Sequence, residues 1–216
     1  MYCNNFLSKR VLSVLKYVIK DISDITEEEY DLSFSYMSES RKEKSQRQRN
    51  PLAKKSTLAG EWLVRSLLCE ITGRGADTFV IDADEKGKLY SHNADGLFFN
   101  ISHSHGKVAV AVCDKEIGID IETVHPVNLK LAKRVCTPDE LIYIFGHLPQ
   151  ESGYDETENT GYIRRFLEIW TLKEAYLKCT GTGITSFDAL ILPDDNFEKI
   201  KIEDDGYIMH IVIREI

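Results

Sequence analysis

The sequence predicts an α+β fold whose short strands pair mainly antiparallel. Two observations support this prediction. Short apolar runs, of the length of a strand rather than a helix, are separated by small polar turns. Strand-like and helix-like stretches also come in two broadly similar batches on either side of the polar turn at residues 114–116. We therefore expect an N-terminal half at residues 1–114 and a C-terminal half at residues 115–216.

The N-terminal half begins with an ambiguous segment. Residues 14–19 suit a helix by their apolar spacing, but their Val and Ile content suits a buried strand. Acids at the start of residues 24–37 favour a first helix. Leucines at helical spacing predict a second helix over residues 56–71. A short strand is expected at residues 79–81.

The middle and the end of the chain carry clearer signals. Residues 97–102 and 107–113 predict an antiparallel hairpin, and residues 117–122 alternate like a strand. Thr137-Pro-Asp-Glu is a capping box with proline at the first helical position, so a helix begins there. Residues 166–180 favour a long helix that ends at Gly181. Further elements are expected at residues 129–135 (helix), 187–192 and 207–214 (strands).

The helix before Gly181 carries charged residues where a packing helix would carry Leu or Ala. Lys173 lies in the middle of its apolar face, Glu174 on the flank, and Lys178 one turn beyond Glu174. One interpretation is an ion pair at the rim of a core helix. The other is a carboxylate for a metal and a lysine for a phosphate. This helix alone leaves both open.

Two further segments are ambiguous in the same way. Asp120 and Glu122 share one face of the strand at residues 117–122, which suits Mg²⁺ or merely a wet strand face. Residues 100–106 offer hydroxyl groups and the His103 imidazole to an anion, or form an ordinary hairpin turn. A zinc site with His103 and His105 lacks a third ligand at a recognisable spacing.

Composition and charge exclude several classes. The net charge of −8 argues against a general nucleic-acid binder, although residues 41–55 are rich in Lys and Arg. The five cysteines are widely spaced and form no CxxC pair, so a reducing cytoplasm is expected. No signal peptide, membrane span, P-loop or GxGxxG motif is evident.

Three motifs in this order resemble those of the 4′-phosphopantetheinyl transferases: Asn100-Ile-Ser-His-Ser, Ile117-Gly-Ile-Asp-Ile-Glu and Trp170-Thr-Leu-Lys-Glu-Ala-Tyr-Leu-Lys. The chain looks most like the broad-specificity class that activates surfactin synthetase, and the resemblance covers about residues 14–192. It implies two pseudo-symmetric α+β halves with coenzyme A in the cleft between them. It also implies that residues 14–19 form a strand.

The resemblance implies roles for individual residues. Asp120, Glu122 and Glu174 correspond to acidic ligands of Mg²⁺, with Mn²⁺ as an alternative. Glu174 and Lys178 are the candidate catalytic residues. The implied coenzyme A contacts are Arg41 and Lys44 for the 3′-phosphate, Gly87 and Lys88 bordering the adenine, Ser102 and His103 beside the phosphates, and Thr57, Lys173 and Lys178. Ser56 and Leu89 depart from the family pattern, where relatives carry arginine and proline.

The implied activity is transfer of 4′-phosphopantetheine from coenzyme A to a serine of an apo acyl or peptidyl carrier protein, with release of adenosine 3′,5′-bisphosphate. Such a reaction depends on positioning and on charge stabilisation. Glu174, directly or through a metal-bound water, is the candidate to take the serine proton. By analogy with the family, the carrier is expected to dock on residues 124–145 of a monomeric enzyme. The alternatives are a non-catalytic module that binds coenzyme A or a carrier protein and a metal-dependent phosphohydrolase.

Overall fold

The structure is a computed structural model that describes residues 14–150, 159–182 and 194–215. Within these ranges the strands form two three-stranded antiparallel sheets and one two-stranded ribbon, so the predicted α+β class is confirmed. The helices are α1 (Glu27–Tyr36), α2 (Glu39–Arg47), α3 (Pro51–Thr72), α4 (Ala132–Val135), α5 (Pro138–Phe145) and α6 (Thr160–Thr180). The strands are β1 (Leu15–Asp21), β2 (Ile81–Ala83), β3 (Leu89–Ser91), β4 (Phe98–Ser104), β5 (Lys107–Cys113), β6 (Ile117–Thr123), β7 (Phe197–Glu203) and β8 (Tyr207–Arg214).

The first sheet has the order β1-β5-β4, and α3 packs on it. Helix α3 begins where the Asn50 side chain accepts hydrogen bonds from the N–H groups of Leu52 and Ala53. It ends at Gly73, whose φ of 73° is the left-handed conformation that glycine adopts without strain. Its Gly60 lies against the side chain of Ile101, so the helix sits close to β4.

The second three-stranded sheet has the order β6-β8-β7, and α6 packs against β6 and β8. Gly118 explains how closely the helix approaches. A Cβ atom at this position would lie 2.0 Å from the carbonyl oxygen of Ala175. The glycine therefore lets α6 rest directly on β6, and this approach brings Glu174 and Lys178 over Asp120.

Several local predictions are confirmed. Residues 14–19 lie almost wholly in β1, the hairpin is β4–β5, and α5 begins with both hydrogen bonds of the Thr137–Glu140 capping box. Two expectations need correction, and a third concerns residues that the structure does not describe. The strand expected at 79–81 begins only at Ile81, because a 3₁₀ turn precedes it. The basic segment includes the unpredicted helix α2, and the strand expected at 187–192 falls outside the described residues. None of the helices in the described ranges is long and apolar enough to span a bilayer.

Candidate active site

Strands β4 and β6 are edge strands of different sheets that face each other, and side chains join them in place of a backbone ladder. We call this junction the seam. Alternate side chains of β4 accept hydrogen bonds from backbone N–H groups of β6 at 3.0–3.3 Å: Asn100 from Ile119, Ser102 from Ile121 and Ser104 from Thr123. The predicted turn at residues 100–106 is thus mostly strand, and Ser102 faces β6.

Three acidic side chains meet beside the seam. Asp120 Oδ1 accepts hydrogen bonds from Ser102 Oγ at 2.8 Å and from Lys178 Nζ at 2.5 Å. Glu122 Oε2 accepts one from Ser104 Oγ at 2.6 Å. By contrast, Asp120 Oδ2 and Glu174 Oε1 are buried without a hydrogen-bond partner among the described residues. Unpaired buried carboxylate oxygens are costly, so they point to a missing partner.

The electrostatics of the acids agree with this arrangement. Burial and, second, the Asp120 carboxylate raise the pKa of Glu174, while Lys178 opposes the rise. Burial also raises the pKa of Glu122, and the hydrogen bond from Ser104 partly offsets this. The carboxylates therefore repel one another, and a cation between them would relieve both the repulsion and the lost hydration.

The donor set fits a hard divalent cation. No three His, Cys, Asp or Glu side chains of the described ranges stand preassembled around a metal position. One oxygen of Asp120 and one of Glu122 are already engaged by Lys178, Ser102 and Ser104. The unpartnered oxygens of Asp120 and Glu174 nevertheless supply the ligand type that Mg²⁺ and Mn²⁺ prefer.

A cleft of about 410 Å³ opens next to the acids, and residues of both α2 and α6 line it. Its volume is ordinary for a small-molecule site. Arg41, Lys44, Ser45 and Gln48 project into it from one face of α2, as their helical spacing requires. Eight of the candidate site residues line this cleft: Arg41, Lys44, Thr57, Gly87, Lys88, His103, Glu174 and Lys178.

Comparison with known proteins agrees with this geometry. A family model described as the 4′-phosphopantetheinyl transferase superfamily matches residues 116–213. A 4′-phosphopantetheinyl transferase of Bacillus subtilis is 30% identical over 180 residues, which are 83% of this chain and 73% of the relative. The chain belongs to the 4′-phosphopantetheinyl transferase superfamily.

Two further relatives extend the match. The 4′-phosphopantetheinyl transferase Sfp of Bacillus subtilis strain 168 is 29% identical, over 85% of this chain and 75% of its own length. The 4′-phosphopantetheinyl transferase HetI of a Nostoc species is 33% identical, over 67% of this chain and 60% of its own length. The family and the enzyme class predicted from the sequence are confirmed, and the Bacillus relatives support the predicted broad-specificity class.

The basic residues of the transferase's cleft differ in whether a protein group already binds their charged end. Arg41 is buried and forms an ion pair with Glu61, whose other oxygen is held by Arg65. Lys88 donates a hydrogen bond to the Cys179 carbonyl at 2.7 Å. Lys44, in contrast, is exposed at the cleft. Arg41 therefore has a structural partner already, and Lys44 is the more available of the two predicted 3′-phosphate contacts.

Lys173 lies away from both the cleft and the acid cluster. Its side chain is 1% exposed, and its Nζ donates hydrogen bonds to the Val135 carbonyl and to Glu140 Oε2, each at 2.6 Å. Since Glu174 is the next residue, the helix turns the two side chains to different faces. Lys173 thus holds α4 and α5 against α6, and we correct the expectation that it contacts coenzyme A.

A second cavity, of about 520 Å³, opens on the other side of the acids, and we call it the groove. Glu122 lines it together with apolar residues such as Trp170 and basic residues such as Arg134. The imidazole rings of His105 and His125 lie 3.9 Å apart at its wall. The acid cluster therefore borders both cavities.

Several residues that line the cleft are not predicted from the sequence, among them Ser45, Gln48 and Lys86. Ser45 and Gln48 could have been predicted from the sequence, because they follow Arg41 at helical spacing. The Ser45 hydroxyl is buried without a hydrogen-bond partner among the described residues. The α2 face was overlooked because its polar sequence gives no apolar periodicity.

Proposed function

We propose that this transferase moves the 4′-phosphopantetheine arm of coenzyme A onto a serine hydroxyl of an apo acyl or peptidyl carrier protein and releases adenosine 3′,5′-bisphosphate. The observation that supports this most is the position of the acid cluster between two cavities, with Glu174 on the cleft and Glu122 on the groove. A reaction that transfers a group from coenzyme A to a protein requires both substrates to reach one centre.

We assign coenzyme A to the cleft. Lys44, assisted by Arg41, would bind the 3′-phosphate through charge-assisted hydrogen bonds. Thr57, Gly87 and Lys88 would form the wall towards the adenine. His103 would lie beside the phosphates, where reduced hydration and the Lys178 charge lower the pKa of its imidazole. A neutral His103 donates and accepts one hydrogen bond each, which suits a phosphate oxygen.

The metal in this proposal is Mg²⁺, with Mn²⁺ as an alternative. Asp120 Oδ2 and Glu174 Oε1, the two unpartnered oxygens, together with Glu122 would hold it. Bound there, the ion would supply charge neutralisation and orientation of the pyrophosphate.

Glu174 and Lys178 carry the chemistry that the chain itself supplies. Glu174 takes the serine proton, because its carboxylate lines the cleft in which coenzyme A would bind. The serine oxygen bonds to the phosphorus that carries the pantetheine arm as the bridging P–O bond breaks. The electron pair of that bond leaves with adenosine 3′,5′-bisphosphate, and the Lys178 ammonium offsets the growing negative charge.

The groove is the proposed docking site of the carrier, within residues 124–145 and the adjoining face of α6. It combines apolar residues such as Leu131 with the basic residues Lys130 and Arg134. We propose that the halves are residues 1–114 and 115–216, with the cleft between them, and that the enzyme acts in the cytoplasm.

The test is incubation of the protein with coenzyme A and Mg²⁺, with and without an apo carrier, followed by intact mass of the carrier. We expect the carrier to gain one phosphopantetheine arm, and Asp120→Ala or Glu174→Ala to remove most of this gain while the protein stays folded. Hydrolysis of coenzyme A without a carrier would indicate a phosphohydrolase. Binding of coenzyme A without any reaction on a panel of carriers would indicate a binding module.

A further inference from the structure

The Ser102 hydroxyl lies at the centre of the seam and touches three different partners. It is 2.8 Å from Asp120 Oδ1, 3.3 Å from the backbone nitrogen of Ile121 and 3.1 Å from Lys178 Nζ. Its side chain is almost wholly buried, so these contacts are not shared with bulk solvent. Ser102 therefore links both sheets and helix α6 at one atom.

The identity of these partners fixes where the hydroxyl proton points. A hydroxyl group has one donor hydrogen and two acceptor lone pairs. The Ile121 N–H and the Lys178 ammonium can only donate, so they occupy the two lone pairs. The single proton of Ser102 is left for Asp120 Oδ1, the one acceptor of the three.

The two oxygens of Asp120 consequently become different. Oδ1 accepts hydrogen bonds from both Ser102 and Lys178. Oδ2 is buried and has no partner among the described residues. The carboxylate is held by one oxygen while the other has no partner among the described residues, and the same is true of Glu174 Oε1.

We propose that Ser102 is a positioning residue of the transfer reaction: by donating to Asp120 Oδ1 it fixes the rotation of this carboxylate and reserves Oδ2 for the divalent cation. Ser104 holds Glu122 in the same manner, since its hydroxyl accepts from the Thr123 N–H and donates to Glu122 Oε2. The alternating polar residues of β4 thus set the acids as well as joining the sheets. This inference rests on the proposed metal site.

The seam supplies a matched control for a purely structural role. Asn100 is the third β4 residue whose side chain bonds to β6, and its Oδ1 accepts a hydrogen bond from the Ile119 N–H at 3.0 Å. No hydrogen bond of the described residues joins its side chain to Asp120, Glu122 or Glu174. Asn100→Ala and Ser102→Ala therefore each remove one hydrogen bond between a β4 side chain and a backbone N–H group of β6. Only Ser102→Ala also frees the Asp120 carboxylate to rotate.

The experiment measures Mn²⁺ binding by electron paramagnetic resonance in the absence of coenzyme A and of a carrier, and thermal unfolding of the same variants. Asn100→Ala, which loses one hydrogen bond, should lower the melting temperature by roughly 2–4 °C, and Ser102→Ala, which loses three, should lower it further. Ser102→Ala should weaken Mn²⁺ binding about 10- to 100-fold, the usual effect of losing a partner of a metal ligand. Asn100→Ala should leave Mn²⁺ binding near the parent, and Ser102→Thr, which keeps a hydroxyl, should recover most of the affinity.

The possible failures are distinguishable. Parent-like Mn²⁺ affinity in Ser102→Ala, alongside loss of binding in Asp120→Ala, would overturn the role of Ser102 and leave the proposed metal site intact. Equal losses of Mn²⁺ affinity in Ser102→Ala and Asn100→Ala would also overturn it. The hydrogen bonds of the seam would then affect the metal only by stabilising the fold. Unchanged binding in Asp120→Ala would overturn the metal site and this inference together.

Discussion

Helix α6 carries two lysines that pair with buried carboxylates, and the two pairs differ in one respect. Lys173 pairs with Glu140, and the bonded oxygen of Glu140 also accepts the Thr137 N–H of the α5 capping box at 2.7 Å. Lys178 pairs with Asp120, but the second oxygen of Asp120 is buried and unpartnered among the described residues. We call the first pair closed, because it leaves no buried carboxylate oxygen without a partner, and the second pair open, because it leaves Asp120 Oδ2 without one. An open pair in a buried site indicates a ligand, whereas a closed pair holds elements together.

The difference extends to the rest of the charged interior. Glu61 is wholly buried, and its two oxygens are taken by Arg41 and Arg65, so this cluster is closed like the Lys173 pair. Glu174 makes no hydrogen bond in the described part of the chain and one of its oxygens is buried. Closure, rather than burial or charge, separates the structural ion pairs from the candidate site.

The largest expected effect comes from exchanging lysines of the two pairs for alanine. Lys173→Ala leaves Glu140 buried and unpaired, which should lower the free energy of unfolding by about 3–5 kcal/mol. Lys178→Ala should instead reduce turnover roughly 100-fold or more, the range for losing one preorganised group that stabilises charge. Urea unfolding and carrier modification per folded molecule measure the two effects.

A paired substitution serves as the control. Lys173→Met with Glu140→Gln removes both charges, while glutamine still accepts the Thr137 N–H. Stability should return close to that of the parent, and turnover per folded molecule should be unaffected. If Lys173→Ala were stable but inactive, the closed pair would belong to the active site and the comparison would fail.

A smaller effect is expected from His210, a buried polar residue with one close partner. Its Nδ1 lies 2.8 Å from Thr171 Oγ1, and burial lowers the pKa of the imidazole to about 4. Glu168 of α6 and Glu203 of β7 oppose this shift, and Lys201 of β7 adds to it. The charged form is therefore disfavoured in the folded protein.

The direction of the pH dependence follows from this pKa. Between pH 6.5 and 4 the unfolded chain binds a proton at this histidine and the folded chain does not, so stability falls as the pH falls. The loss should reach about 3 kcal/mol below pH 4. Unfolding of His210→Gln across this range should show a shallower slope, whereas the exposed His147→Gln should match the parent. Equal slopes in all three proteins would contradict the burial of a neutral His210.

The smallest expected effect concerns the exposed end of the cleft. Lys44→Ala should raise the Michaelis constant for coenzyme A roughly tenfold, as for one charge-assisted hydrogen bond, and hardly change that for dephospho-coenzyme A. Arg47, an exposed residue of the same helix paired with Glu43, provides the control Arg47→Ala. Equal changes on both substrates would mean that Lys44 does not contact the 3′-phosphate.

Much of the fold follows from local sequence, because its signals act over a few residues. The capping box at Thr137, the cap at Gly181 and the β4–β5 hairpin are of this kind. Strand β7 was missed, although Ile200 and Ile202 alternate with charged residues. This alternating pattern is too short to predict a strand by itself, and the pairing of β7 with β8 is visible only in the structure.

The site was predictable as a set of residue types but not as a set of contacts. Asp120, Glu122, Glu174 and Lys178 were identified, and the structure brings them together. The partner of Lys173 lies 33 positions away and that of Ser102 lies 18 away, so no local pattern assigns them. Whether an ion pair is closed or open depends on such distant contacts, and only the folded chain reveals it.

The most direct test of this account is a crystal structure with coenzyme A and Mn²⁺, in which anomalous scattering locates the metal. The account predicts a peak about 2.1 Å from Asp120 Oδ2 and from an oxygen of Glu174, with Ser102 still bonded to Asp120 Oδ1 and Lys173 still bonded to Glu140. A manganese peak away from these acids, or one bound through Asp120 Oδ1, would contradict the claim that the open oxygens form the metal site.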